Sequence, residues 1–354
     1  MVSYGGQCQS AYAQGGVLLN DSKDGHSSPA GSSSRPAVTI SAGYAPHCVG
    51  TDTDGSPMDP AGRASVYTIK PSIGVVSQDG LIPVSRTMDF AGPMGKTPYD
   101  IAALLELLRE DDAPEFPADG YTSMLDGIMA EFLAAVDYRD WICSPKYMAS
   151  EESATVEMYV MAWNIKRYRA DTKAREFFGN VPLPKPESAN LSGEDCPAMI
   201  KLAGFRHDLP ACLDALECAR AKNIQALINF NIDIKNISSS CEKSVENKGI
   251  DYIPHNYNAD VITGPPDSAL STLADGSGYP IAGMPLVNLD INGRGFGMVA
   301  LPGKHQGATL LRFLCACDSG FHPPRPLPML VGETAELDAN YSMDSECSSS
   351  KDGS

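Results

Sequence analysis

Two short stretches hold the residue types from which a reaction could be built. They are Pro29-Ala-Gly-Ser32-Ser33-Ser34 and, further on, Gly50-Thr-Asp-Thr-Asp-Gly-Ser56. As a calcium loop the second would put Asp52, Asp54 and Gly55 at positions 3, 5 and 6. Gly50 and Ala61 would then occupy the first and twelfth positions, where carboxylates are needed. As a phosphate loop it lacks the closing Gly-Lys-Ser/Thr. A polar turn between a helix and a strand accommodates the same residues. The six histidines are scattered without ligand spacing, and Cys212, Cys218 and Cys315-Ala-Cys317 do not complete a zinc set. No metal or cofactor is expected.

The elements that must position these stretches can be read from periodicity. Residues 1–36 are rich in Gly, Ser, Asp and Pro and read as loop. Val66–Lys70 and Gly74–Ser77 read as strands divided by Pro71-Ser72. A helix follows, with Thr97 as its cap, Pro98 in its first turn, and Ile101, Leu104, Leu105 and Leu108 along one face. The middle, 113–250, is helix-rich and charged. Its helical candidates run from Glu151 to about Phe178 and from Asp208 to about Asn231, with a Pro-rich break at 181–186. Strand patterns return at Asp260–Thr263, Met284–Val287 and Phe296–Leu301, and a last helix spans about His305–Cys317. Strands interleaved with helices predict an α/β layer fold, a mixed β-sheet flanked by helices. One domain over 1–331 is expected, followed by a polar, acidic, disordered tail at 332–354.

Composition narrows the partners. With 354 residues and 43% hydrophobic content the chain can bury a sizeable core. A net charge of −17 argues against nucleic acid, whose phosphates it would repel. No apolar stretch reaches membrane-spanning length, and the first 16 residues lack the pattern of a secretory signal. The ten cysteines are expected to be reduced thiols in a cytoplasmic protein.

The order of the pieces carries more than any one of them. Gly31-Ser-Ser-Ser, a small apolar stretch Ala37–Gly43, Gly-Thr-Asp-x-x-Gly-Ser ending 24 residues after Ser32, and Pro60-Ala-Gly together resemble the amidase signature family. The likeness continues through Tyr67–Pro71, Gly74–Ser77, Gly80–Ser85 and Asp89–Pro93. Downstream it returns in Gly264–Ser271, Gly278-Tyr-Pro280 and Phe296–Gln306, where it looks most like the filamentous-fungal branch. The resemblance implies an amidohydrolase that cleaves a small-molecule carboxamide by a Ser–cis-Ser–Lys mechanism. Ser56 would be the acylated nucleophile, and Ser32, in a cis peptide, would relay the proton. The backbone N–H groups of Thr53, Asp54, Gly55 and Ser56 would form the oxyanion hole, with Ser33 and Asp52 in support.

The pattern breaks in three places. The family's lysine lies well upstream of the cis-serine, and only Lys23 precedes Ser32 here. An exposed lysine beside Asp24, with an ordinary pKa of about 10.4, stays charged and cannot accept a proton. Arg35-Pro36 stands where the family carries Gly and a small residue, so a crowded turn and a lost donor are expected. Met58 stands where many members have Arg. Three expectations follow: an active amidase, a pseudoenzyme or partner-binding form without its base, or a piece of a longer protein. Without the family's N-terminal helices and strand, apolar surface and a sheet edge would be exposed, favouring self-association.

Overall fold

A computed structural model describes residues 8–13, 16–17, 27–127, 133–136, 176–179, 190–191, 194–215, 259–288 and 293–320. In chain order come α1 (Ser34–Ser41), β1 (His47–Asp52), α2 (Met58–Ala64), β2 (Tyr67–Lys70), β3 (Phe90–Gly95) and α3 (Pro98–Leu108). After a 3-10 turn at Tyr121–Met124 follow β4 (Leu133–Val136), β5 (Glu176–Gly179), β6 (Asn190–Leu191), β7 (Glu194–Asp195) and α4 (Cys196–Ala215). The series closes with β8 (Val261–Gly264), α5 (Ala269–Ser277), β9 (Ile281–Asn288), β10 (Gly295–Leu301) and α6 (Gly307–Gly320).

Among the described residues, eight strands form one sheet in the order β1-β3-β2-β9-β10-β8-β4-β5. The pairs from β1 to β8 are antiparallel, while β4 runs parallel to both β8 and β5. The mixed sheet flanked by helices is therefore present. Strands β2, β3, β8 and β10 are buried at every position, as strands covered on both faces must be. On one side Ile101 and Leu105 of α3 pack with Leu310, Leu311, Phe313 and Leu314 of α6 against Ile69, Met284 and Met298. Elsewhere Met58 joins Leu270, Ala274 and Val299, and Ala37 and Ile40 meet Ala61, Val66 and Met94.

Local chemistry explains the start of α3 and both ends of α5. Thr97 and Asp100 make a reciprocal capping box with Pro98 in the first turn, so α3 begins where its sequence predicts. Ser268 caps α5 by accepting from the Leu270 N–H, and Gly278, at φ +71°, ends it in the left-handed region.

Several expectations are corrected. Gly74–Ser77 is not a strand; it keeps a single bridge between Val76 and Arg109. Residues 176–178, expected at a helix end, lie in β5. Pro36 loses nothing, because it falls in the first turn of α1, where its N–H would have no helical acceptor. Arg35 is exposed rather than crowded. Met58 is fully buried in apolar contacts, a place where an arginine's charge would be costly. His305 precedes the last helix, with φ +58°, instead of opening it. Lys23, the rest of both middle helical candidates and the tail lie outside the described residues.

Candidate active site

The two serine-bearing segments converge at the start of α1 and α2. The Gly31–Ser32 peptide bond is cis. Ser33, only 4% exposed, joins the segments: its N–H donates to the Ser56 carbonyl at 3.1 Å. Its hydroxyl donates to the Thr51 carbonyl at 3.0 Å and accepts from the Thr51 N–H at 3.1 Å. Packing leaves no slack here, since a Cβ on Gly50 would lie 2.9 Å from Met94 Sδ and 3.2 Å from Ser33 Oγ. Ser56 is half-buried beside the first turn of α2, and Ser32 is exposed.

The loop from Thr51 to Ser56 is held by carboxylates. Asp52 Oδ1 accepts from the N–H of Ser56 at 2.8 Å and of Asp54 at 3.1 Å. The Gly55 N–H donates to Asp275 Oδ2 at 2.9 Å. Thr53 Oγ1 donates to Asp89 Oδ1 at 2.7 Å, and Asp89 Oδ2 is itself fixed by the N–H groups of Val84 and Ser85. Asp54 reaches outward, accepting from Thr272 Oγ1 at 2.7 Å and from Lys201 Nζ at 2.6 Å. Three of the four N–H groups expected to form an oxyanion hole thus already donate to side-chain carboxylates. A substrate oxygen would have to share them.

Beneath the loop lies a buried ionic cluster. Lys70 and Asp275 have fully buried side chains with Nζ and Oδ1 3.3 Å apart, and Asp52 is 3% exposed. Lys70 also donates to the carbonyls of Tyr279 at 2.6 Å and Ala274 at 3.3 Å, and its ammonium sits 3.7 Å from the Phe90 ring centre. Burial pushes Lys70 below the usual lysine range, against the pull of Asp275 and Asp52. It raises Asp52 to about 6, opposed by Lys70 and by the Ser56 N–H. Burial, then the neighbouring Asp52, raises Asp275 as well. Two acids and one base in a dry site cannot all ionise cheaply, so the cluster favours holding a proton on a carboxyl.

Neither nearby lysine is arranged as a proton acceptor. Lys70 uses its hydrogens as a donor to two carbonyls, and Lys201 is ion-paired to Asp54. Lys70, Asp275, Lys201, Thr272 and Asp89 were not singled out from the sequence. The legible signal was Lys70 and Asp275 themselves: a lysine inside an apolar strand pattern and an aspartate ending an apolar helix turn. A separate small, open cleft beside α2 is lined by Asp59, Arg63, Asp267 and Arg294, among others. Neither Ser32 nor Ser56 lines it. Among the described residues no group of three His, Cys, Asp or Glu side chains is placed to hold a metal.

A sequence model of the Amidase family matches residues 8–128, the span that contains both serine segments. Over that span the chain carries the sequence pattern of the Amidase family. A relative named as a probable amidase of Arabidopsis thaliana is 38% identical over 207 residues, covering 57% of this chain and 38% of its own length. The chain thus spans well under half of that relative. Among solved structures, the peptide amidase of Stenotrophomonas maltophilia superposes with TM-score 0.67 at 20% identity, covering 90% of this chain and 73% of that one. An amidase family protein of Bacillus anthracis gives TM-score 0.67 at 19% identity, over 89% and 68%. These likenesses give the amidase-signature fold. Among the described residues no helix is long and apolar enough to cross a membrane.

Proposed function

We propose that the chain carries the nucleophile and relay of an amidohydrolase acting on a small linear carboxamide. Ser56 attacks the amide carbonyl and is acylated, the amine leaves, and water releases the acid. Ser32 passes the Ser56 proton toward a base and returns it to the leaving nitrogen. The observation that supports this reading is the Ser33 N–H bond to the Ser56 carbonyl, which brings two segments 24 residues apart into one site. The Thr53–Ser56 backbone offers N–H donors to the developing oxyanion, and such donors typically supply about 3–4 kcal/mol each. Asp54, Gly55 and Ser56 must partly release their carboxylate partners to do so.

Proton acceptance is the demanding step. Lys70 and Lys201 are occupied as donors, and in the family the lysine lies upstream of the relay serine, so the base comes from outside the described residues. A second reading has another observation in its favour: with three of its four donors already satisfied by carboxylates, the loop is stable as it stands and suits a fold-retaining, partner-binding form.

A fluorophosphonate probe separates the two. Labelling of the full chain at Ser56, abolished by Ser56→Ala and reduced at least tenfold by Ser32→Ala, is the expected result. A folded chain that stays unlabelled decides for the non-catalytic form.

A further inference from the structure

The buried pair formed by Lys70 and Asp275 is in an expensive place. Asp275 sits in the last turn of α5, where the helix dipole opposes a negative charge, and its side chain is fully buried. Lys70 offsets that charge from β2, and it also takes the Ala274 and Tyr279 carbonyls at the end of the same helix. Well-packed apolar residues often replace a buried ion pair without loss of stability. Stability alone therefore gives no reason for the pair. What an apolar replacement cannot supply is an acceptor for the buried Gly55 N–H, which donates to Asp275 Oδ2 at 2.9 Å.

Gly55 is also packed closely against α5. Its φ is +83°, and a Cβ there would stand 3.0 Å from Ser271 Cβ. The loop thus meets the helix at a residue without a side chain, tied there by the Gly55 N–H bond and, one residue earlier, by the bond from Thr272 Oγ1 to Asp54. On the same side, Asp52 Oδ1 holds the N–H of the next residue, Ser56. Both carboxylates face Lys70 closely enough to act on its charge. Lys70 therefore acts on the charge of both carboxylates that orient the loop, pairing with Asp275 through Oδ1.

We infer that Asp275, held by Lys70, is a positioning residue that fixes the Gly55 N–H and thereby the loop presenting Ser56. The inference rests on the reading of that loop as the nucleophile loop. Asp275 acts through the backbone and touches no reacting atom. Its carboxylate sets which way the Gly55 peptide points, and any oxygen at that position serves the purpose.

Two charge-free pairs in the full chain test this: Asp275→Asn with Lys70→Met, and Asp275→Leu with Lys70→Met. Only the first keeps an oxygen for the Gly55 N–H. Amide hydrogen exchange of residues 52–57 should be roughly tenfold or more faster in the leucine pair, as expected for loss of one buried bond, and near wild type in the asparagine pair. The melting temperature of the leucine pair should equal or exceed that of the asparagine pair, and fluorophosphonate labelling should slow with the faster exchange. If the leucine pair fails to fold, Asp275→Ala with Lys70→Met makes the same comparison. Equal exchange in both pairs, or faster exchange that only tracks a lowered melting temperature, overturns the inference. If the wild-type chain is not labelled at all, the amidohydrolase reading fails, while exchange alone still decides the role of Asp275.

Discussion

Asp52 loads two loop N–H donors onto one oxygen and leaves the other, Oδ2, buried without a hydrogen-bond partner among the described residues. Its pKa is raised by burial to about 6, above the value of about 3.9 in an unfolded chain. Between those values the folded state binds more protons than the unfolded one. This group's contribution therefore declines as pH rises from about 4 to about 6. Asp52→Asn keeps an oxygen for both donors and removes the titration. Melting temperatures measured from pH 4 to 7 should fall less steeply with pH in the variant than in the wild type; parallel curves would refute the assignment. The spacing of Ser32, Ser33 and Ser56 was legible because it is carried by contiguous sequence. The residues that fix them were not, since a lone lysine or aspartate acquires meaning only when the fold lays it against another chain segment.

At the level of elements, α2 is pressed onto the sheet through two glycines. A Cβ on Gly297 would lie 2.6 Å from Gly62 Cα and 2.7 Å from the Met284 carbonyl, all of it backbone that cannot swing aside. Gly297→Ala should destabilise the chain by about 1–3 kcal/mol in urea unfolding, as overpacking does. Gly43 has φ +80° and nothing within 4 Å of where a Cβ would stand, so Gly43→Ala bears backbone strain alone, about 1–2 kcal/mol. A cost at Gly297 no greater than at Gly43 would contradict the close approach of α2 and β10. The capping box and apolar face of α3 were readable because they are local. Gly74–Ser77 misled because its β-branched residues suit a strand, yet no neighbour offers it a full ladder, and the Val76–Arg109 bridge is what remains.

For the whole molecule, β1 ends the sheet, and among the described residues nothing pairs with its outer edge. Val49 on that strand is 41% exposed, and Tyr44 just before it 84%. An open edge with apolar residues favours pairing between chains. Sedimentation should show association rising with concentration, and Val49→Lys should lower it without moving the melting temperature; an unchanged distribution would remove β1 from the contact. The layer class was legible from alternating strand and helix patterns, whereas the strand order was not, because β2 pairs with β9 across more than half of the chain.

The same long reach governs when the loop that carries Ser56 can form. The loop at residues 53–55 depends on partners 36, 218 and 220 residues away. A ribosome adding roughly 5–20 residues per second would finish Ser56 many seconds before Thr272 and Asp275 emerge. Throughout that interval the nascent chain carries Ser56 in an unformed loop. On the proposed reading of Ser56, a stalled or truncated product ending before residue 259 should therefore stay inert to a fluorophosphonate even where the finished chain reacts.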